Sequence, residues 1–354
     1  MISVPKAKWI TRFARPPGRP SDVLRASRLS GFRRNDGQVG RTFPLPMKRK
    51  DTRDVHGILL FDKPIGFSSN QALQIVRRIY GAAKAGHTGS LDPLATGLLP
   101  ICFGEATKIA GLLLGSRKAY LTECRLGVTT DTDDAEGRVV SERAVRDFDD
   151  ATLQAALAAL TGRITQTPPV YSAIKRAGEP LYRLARRGET VEVPQREVEV
   201  HDFSLVARIP GGLRLHVECG SGTYVRSLVR DLGERLGCGA HVTALRRLWV
   251  EPFTAPAMTD LDTLRSLAEQ GTDALDALLL PLEAGLAGYP TVEVDETAAT
   301  RLRQGQAADA GIIGSGRFVA VDAGGRAVAL VESGRDGRLR SQRGFNPVQR
   351  GPAL

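Results

Sequence analysis

The run from Gly86 to Pro100 reads GHTGSLDPLATGLLP: one aspartate, Asp92, stands alone in a loop of small residues, with His87 five positions before it. A lone carboxylate presented in this way can attack an electrophilic carbon or stabilise positive charge that develops beside it. The same letters also fit a structural role, with Asp92 as a helix N-cap, Pro93 in the first turn and PLATGLL as a short helix. His87 divides the same way, between a hydrogen-bonded structural residue and a contributor to a site. The stretch by itself leaves both readings open.

Other chemistries are set aside by what the chain lacks. It holds no G-x-x-x-x-G-K-[ST] phosphate loop, no H-E-x-x-H and no G-x-S-x-G elbow. Five histidines leave little for a metal cage, so no metal site is expected. Cys102, Cys124, Cys219 and Cys238 are far apart and form no C-x-x-C pair, which argues against a disulfide framework or a structural zinc and fits a reducing compartment. No apolar run approaches the roughly 20 residues of a membrane span, and no secretory signal opens the chain. A soluble, cytoplasmic protein without membrane contact is expected.

The formal net charge of +10 suggests a polyanionic partner until it is located. Residues 1–50 carry thirteen Lys and Arg against Asp22 and Asp36, a surplus of 11 that leaves −1 for residues 51–354. A nucleic-acid partner therefore has to be argued from a local patch or from motifs. Residues 1–50 combine Arg, Ser, Gly and Pro without an apolar period, which reads as a disordered basic extension. Three explanations stand for it: a start placed too far upstream, with Met47 the native first residue; a transit peptide for organellar import over 1–46; or an RNA-tethering tail.

The elements that must position Asp92 are regular. GILLFDKP is a short apolar run closed by proline and predicts a buried strand. SSNQALQIVRRIYG offers Ser68 or Ser69 as N-cap, apolar Leu73, Val76, Ile79 and Tyr80 at helical spacing, and Gly81 past the end. KAYLTECRLGV and GRVVSER predict strands around the acidic turn TTDTDDAEG, and DDATLQAALAALTG a capped helix with Leu153, Leu157 and Leu160 inward. VEVHDFSLVARI and LRLHVECGSG form a hairpin across a Pro-Gly-Gly turn, with Leu213, Leu215, Val217 and Cys219 alternating against Arg214, His216 and Glu218. TYVRSLVRDLGERLG places Val225, Leu228, Val229, Leu232 and Leu236 on one helical face.

At 354 residues the chain is long enough for two domains. Strands and helices mix without strict alternation, so the fold class is α+β. The main domain is placed at 51–285. Within it, residues 164–197 form an irregular segment of Pro and basic residues that suits a functional insertion. After a Gly/Ala/Pro-rich stretch near residue 285, short strands return, with a Gly324-Gly325 turn and one helix, DETAATRLRQG, making a small β-rich domain over 290–350.

From GILLFDKPIGFSSNQAL through AGHTGSLDPLATGLLPICFGEATK to KAYLTECRLGVTTDTDDAEG, the chain closely resembles the TruB family of tRNA pseudouridine synthases. The similarity continues in TQTPPVYSAIK, GEPLYRLARRGETVEVP and CGSGTYVRSLVRDLGERLGCGAHVTALRRL, and spans residues 55 to 260. The portion with RLRQGQ looks like the small β-barrel PUA module that the family carries. The resemblance implies a mixed, largely antiparallel sheet core of the pseudouridine synthase type. It also implies isomerisation of a T-loop uridine of tRNA without cofactor, by a monomer needing no protein partner, with assistance to tRNA folding as a further activity.

On that resemblance Asp92 matches the catalytic carboxylate, Arg226 its cationic partner, and Tyr120 the aromatic that stacks on uracil and moves a proton. An arginine suits the role because it can hold a carboxylate by two hydrogen bonds. Tyr224 and Leu245 match residues lining the uracil pocket, His87 one that holds the rearranged T-loop, and Lys63 a supporting residue near the site. Lys175, Arg176, Arg183, Arg186 and Arg187 would make the 164–197 segment a clamp on T-loop phosphates. The rivals are an RNA-folding module, a guide-RNA-dependent relative, and a small-molecule hydrolase using Asp92.

Overall fold

The computed structural model describes residues 52–171, 175–176, 179–180, 187, 193–309 and 315–347. The basic segment 1–50 lies outside them, and its three explanations with it.

Strands β1 (Gly57–Lys63), β2 (Ala85–His87), β3 (Ala95–Phe103) and β4 (Lys118–Leu126) precede a small pair, β5 (Val128–Thr130) and β6 (Val139–Glu142). There follow β7 (Gly162–Gln166), a second short pair β8 (Lys175–Arg176) and β9 (Glu179–Pro180), then β10 (Arg196–Ile209), β11 (Gly212–Cys219) and β12 (Ala240–Val250). One eight-stranded sheet runs in the order β1-β3-β12-β4-β11-β10-β7, with β2 added on β3. Only β12 with β3 is parallel in this sheet, so the core is mixed and largely antiparallel.

The sheet is covered on both faces, which explains why β1 is apolar throughout. Leu59 and Phe61 enter one core with the helices, while Ile58 and Leu60 enter a second on the other face. The β10–β11 hairpin has one wet face, and its second arm alternates as its sequence predicts. Helix Ser69–Ile79 starts at Ser68, whose side chain and that of Gln71 form a reciprocal capping box. Asp149 caps helix Asp150–Ala158, and helix Val225–Arg235 buries Val225, Leu228, Val229 and Leu232. Each such side chain contributes roughly 1.5–3 kcal/mol relative to exposure.

Three parts of the sheet differ from the sequence reading. Pro93–Leu99 is not a helix: the Asp92 carbonyl accepts from the Ala95 N–H at 3.0 Å in a tight turn, and the chain enters β3 at once. Pairing with β1 on one side and β12 on the other overrides the local capping pattern. The central strand β12 has no sequence prediction, because two register shifts against β4 break its alternation. The segment 164–197 is strand at both ends, in β7 and at Arg196 of β10. β12 closes on β3 only because Gly97 has no side chain: its φ is +96° and a Cβ there would lie 2.2 Å from the Arg247 carbonyl oxygen.

A five-stranded sheet follows, β13 (Thr291–Glu293), β14 (Ala308–Asp309), β15 (Gly316–Val321), β16 (Ala327–Ser333) and β17 (Arg338–Gly344), in the order β13-β15-β16-β17-β14. Gly324-Gly325 lies in the expected turn, and helix Glu296–Arg303 is capped by Asp295. Val319, Leu330 and Phe345 share a core with Ile58, Leu98 and Val250, so the small sheet is packed on the large one.

Candidate active site

Asp92 is held from both directions along the chain. The Leu91 N–H donates to Ser69 Oγ at 2.7 Å, and that hydroxyl donates back to the Leu91 carbonyl at 3.1 Å, so the first residue of a helix pins the residue before the aspartate. On the far side the Gly66 N–H donates to the Pro93 carbonyl at 2.8 Å. Lys63, wholly buried at the end of β1, donates through Nζ to the Pro64 and Phe67 carbonyls and so shapes the turn that carries Gly66. Burial lowers the Lys63 ammonium to about 8, against the pull of Asp92 and Glu136 in the other direction.

Arg226 arrives from the first turn of helix Val225–Arg235 and is 4 % exposed. Its Nε lies 3.0 Å from Asp92 Oδ2, an ion pair without the alignment of a hydrogen bond. The two-point grip expected of an arginine is not made on Asp92. Nη1 instead takes Asp134 Oδ2 at 3.2 Å and the Thr132 carbonyl at 2.9 Å, and Nη2 donates to the Tyr171 carbonyl. Asp134 is itself buried, its Oδ1 accepting from Thr132 Oγ1 and the Glu136 N–H.

This sharing explains the state of Asp92. Burial raises its proton affinity above the ordinary carboxylate range, Arg226 and Lys63 oppose that, and Asp134 reinforces it. The carboxylate is surrounded by protein yet keeps 40 % of its side-chain surface open. It is reachable and strained toward the neutral form at once.

Strand register places the flat pocket residues on one face beside it. Tyr120 on β4 stands opposite Arg247 on β12, and Leu245 on β12 stands between Thr122 and Ala95, three residues after Asp92. Tyr120 and Leu245 are buried, and the Tyr120 phenol is raised by burial, with Asp92 within electrostatic reach. Tyr224 precedes the helix that carries Arg226. Buried Gln166 fixes it by accepting its N–H and donating to its carbonyl, and the Arg196 guanidinium lies 4.7 Å over its ring. His87 on β2 is half-buried, its Nδ1 has no hydrogen-bond partner among the described residues, and burial and then Arg247 lower its proton affinity.

Of the clamp residues, Arg183 and Arg186 lie outside the described residues. Lys175 and Arg176 are described only as backbone of β8, and Arg187 is an exposed turn residue with a partner of its own. A cavity of about 500 Å³ lies elsewhere, lined by Asp54, His56, Glu105, Glu283 and Arg303, and does not include Asp92. Among the described residues no cluster of His, Cys, Asp and Glu could hold a metal.

Four residues of the site carry no sequence prediction: Asp134, Gln166, Lys118 and Arg247. Asp134 was visible only as part of the acidic turn. Lys118 looks like an ordinary residue of a predicted strand, Gln166 falls in the segment read as irregular, and Arg247 lies on a strand that the sequence did not announce. Lys63, Lys118, Arg226 and Arg247 are all buried near the loop that carries Gly89 and Asp92, cations inside the fold rather than on its surface.

The model of the TruB family pseudouridylate synthase N-terminal domain matches residues 77–225, and that of the tRNA pseudouridylate synthase B C-terminal domain matches 226–287. The tRNA pseudouridine synthase B of Xanthomonas euvesicatoria pv. vesicatoria (strain 85-10) is 58% identical over 301 residues, 85% of this chain and 97% of that protein. The protein of the same name from Pseudomonas fluorescens (strain Pf0-1) is 48% identical over 295 residues, 82% of this chain and 96% of its own. Among solved structures, a chain of a Cbf5-Nop10-Gar1 complex superposes with a TM-score of 0.65 at 23% identity, over 82% of this chain and 85% of its own, which shows a shared fold. The chain belongs to the TruB family of pseudouridylate synthases.

Proposed function

We propose that this chain converts a T-loop uridine of tRNA to pseudouridine, as a cytoplasmic monomer that needs no cofactor and no protein partner. The reading rests on family membership together with one observation: a carboxylate and a guanidinium 3.0 Å apart, with 40 % of the carboxylate's side-chain surface open. Flipping the target nucleotide onto that carboxylate costs a few kcal/mol, least for a base already in a loop.

Asp92 then acts at C1′ of the ribose, as nucleophile or as the charge that stabilises the sugar cation while the bond to N1 breaks. The freed uracil turns against Tyr120, whose ring stacks on it for roughly 1–3 kcal/mol without fixing its in-plane angle. Leu245 and Tyr224 bound the pocket. After C5 bonds to C1′, the proton on C5 leaves through Tyr120 and N1 takes one up. His87 holds the rearranged T-loop, the 164–197 segment grips its phosphates, and the 291–344 sheet acts as a PUA-like RNA-binding module.

Purified protein incubated with an unmodified tRNA transcript tests this: pseudouridine forms in the T-loop, and a guide-dependent enzyme would leave the transcript unchanged. Asp92→Asn binds tRNA with nearly unchanged affinity and forms no pseudouridine. Conversion by that variant would sink the assignment of Asp92. Any chaperone activity on tRNA folding survives in it.

A further inference from the structure

Arg247 heads the fully buried side chains of the described residues by size, at 1 % exposure. Its Nε donates to the Leu98 carbonyl at 2.6 Å and its Nη2 to the Gly89 carbonyl at 3.2 Å. The adjacent Arg246 holds Asp62 by two bonds, whereas among the described residues no carboxylate pairs with Arg247. A guanidinium removed from water without a counter-charge is costly, because backbone carbonyls return only part of its hydration. Such a residue is explained when a neighbour becomes negative.

The sheet supplies that neighbour. Arg247 stands directly opposite Tyr120 across the β4–β12 ladder, so both side chains leave the same face. At the Tyr120 phenol, burial is opposed first by Arg247, by charge and by hydrogen bonding, while Cys219 and Asp92 act with burial. The other cations nearby are weakened: Lys63, Lys118 and His87, each lowered by burial, are lowered further by Arg247. Arg247 is thus the fixed positive charge of this face, and at Tyr120, whose phenol burial holds in the neutral form, it is the first group that works toward the anion.

We propose that Arg247 is a positioning residue for proton removal, holding the Tyr120 oxygen in place and lowering the cost of the anionic form that takes the proton from C5 of the rotated uracil. This rests on the proposed pseudouridine reaction. Once C5 is bonded to C1′ it carries both the sugar and its original hydrogen, and C6 is doubly bonded to N1. The Tyr120 oxygen takes the hydrogen as a proton. The C5–H electron pair becomes the C5=C6 bond, the C6=N1 pair moves onto N1, and N1 takes the proton back from the Tyr120 phenol, directly or through one water that gives a proton to N1 and receives the phenol's. Nothing is oxidised or reduced, and the Tyr120 oxygen returns to the form in which it began.

The test follows single-turnover pseudouridine formation from neutral to alkaline pH in the full chain, with tRNA affinity and thermal unfolding measured alongside. Arg247→Met lowers the neutral-pH rate about a hundredfold, within the range of general base catalysis, with affinity nearly unchanged, and the deficit narrows as pH rises. Tyr120→3,5-difluorotyrosine, whose phenol is more acidic, restores much of the rate in the Arg247→Met protein. A structural defect alone gives the same loss at every pH and no rescue, and that result overturns the proposal. Should Arg247→Met not fold, the same comparison in Arg247→Lys decides, since lysine keeps the charge but loses the fork. Failure of the unaltered protein to modify tRNA would refute the reaction itself, whereas a flat pH response in an active enzyme refutes only the role of Arg247.

Discussion

The Arg226 guanidinium is divided between two carboxylates: its Nε faces Asp92 Oδ2 at 3.0 Å and its Nη1 faces Asp134 Oδ2 at 3.2 Å. Only Asp134 is fully enclosed, and it receives two further hydrogen bonds. Asp134 therefore acts as the anchor that fixes where the arginine sits, and Asp92 receives what is left of the charge.

Asp134→Asn tests the anchor. The variant keeps the shape and loses the charge, so Arg226 is free to swing toward Asp92 and out of line with the sugar. Single-turnover pseudouridine formation falls by about a hundredfold, the scale of a small misplacement of reacting groups, while tRNA affinity changes little. An unaltered rate would show that Arg226 needs no second acid.

The acid side of the pH profile reports Asp92. Because burial raises its proton affinity more than Arg226 lowers it, the carboxylate is lost to protonation at a higher pH than the ordinary value of about 3.9. Conversion therefore falls as pH drops, with a midpoint above that value. A midpoint at or below it, measured with tRNA still bound, contradicts the geometry.

Lys63 couples the site to stability. Its folded-state proton affinity is lowered to about 8 from 10.5, so between those values the unfolded chain binds more protons at this residue and the native state gains stability as pH rises. Buried cysteines and tyrosines act the other way, so the informative quantity is a difference. The stability of the unaltered protein minus that of Lys63→Met, from urea midpoints, grows from pH 8 upward. A constant difference would show that Lys63 does not titrate in this window.

Ser69→Ala removes one hydroxyl that serves Leu91 twice. The Leu91 N–H and carbonyl lose their partner in a buried place, which costs about 1–3 kcal/mol. Thermal unfolding shifts down, and the conversion rate falls with it while tRNA affinity holds. A stability loss without any change in rate would show that the loop keeps its own shape.

Much of this was legible locally. The cap at Ser68, the stripe of Val225, Leu228, Val229 and Leu232, and the alternation of Leu213 to Cys219 follow from short-range rules, and the structure repeats them. What local rules missed is where distant strands meet. Asp92 and Pro93 look like a helix start, and only pairing of β3 with strands from both ends of the domain makes them a turn into a sheet. Asp92, Tyr120 and Arg226 were found through whole-motif resemblance. Asp134 and Arg247 were not, because the meaning of a charged residue in a turn or a strand depends on which neighbour is left without a counter-ion, and spacing does not carry that information.

The paired bonds between Ser69 and Leu91 have an effect on timing as well as on place. A carboxylate whose position is dictated by the start of a packed helix has little freedom to surrender, so in the proposed reaction the alignment of acid and sugar is settled at folding and not during each turnover. On that proposal the slow movements of the cycle fall to the RNA, which must unstack and turn.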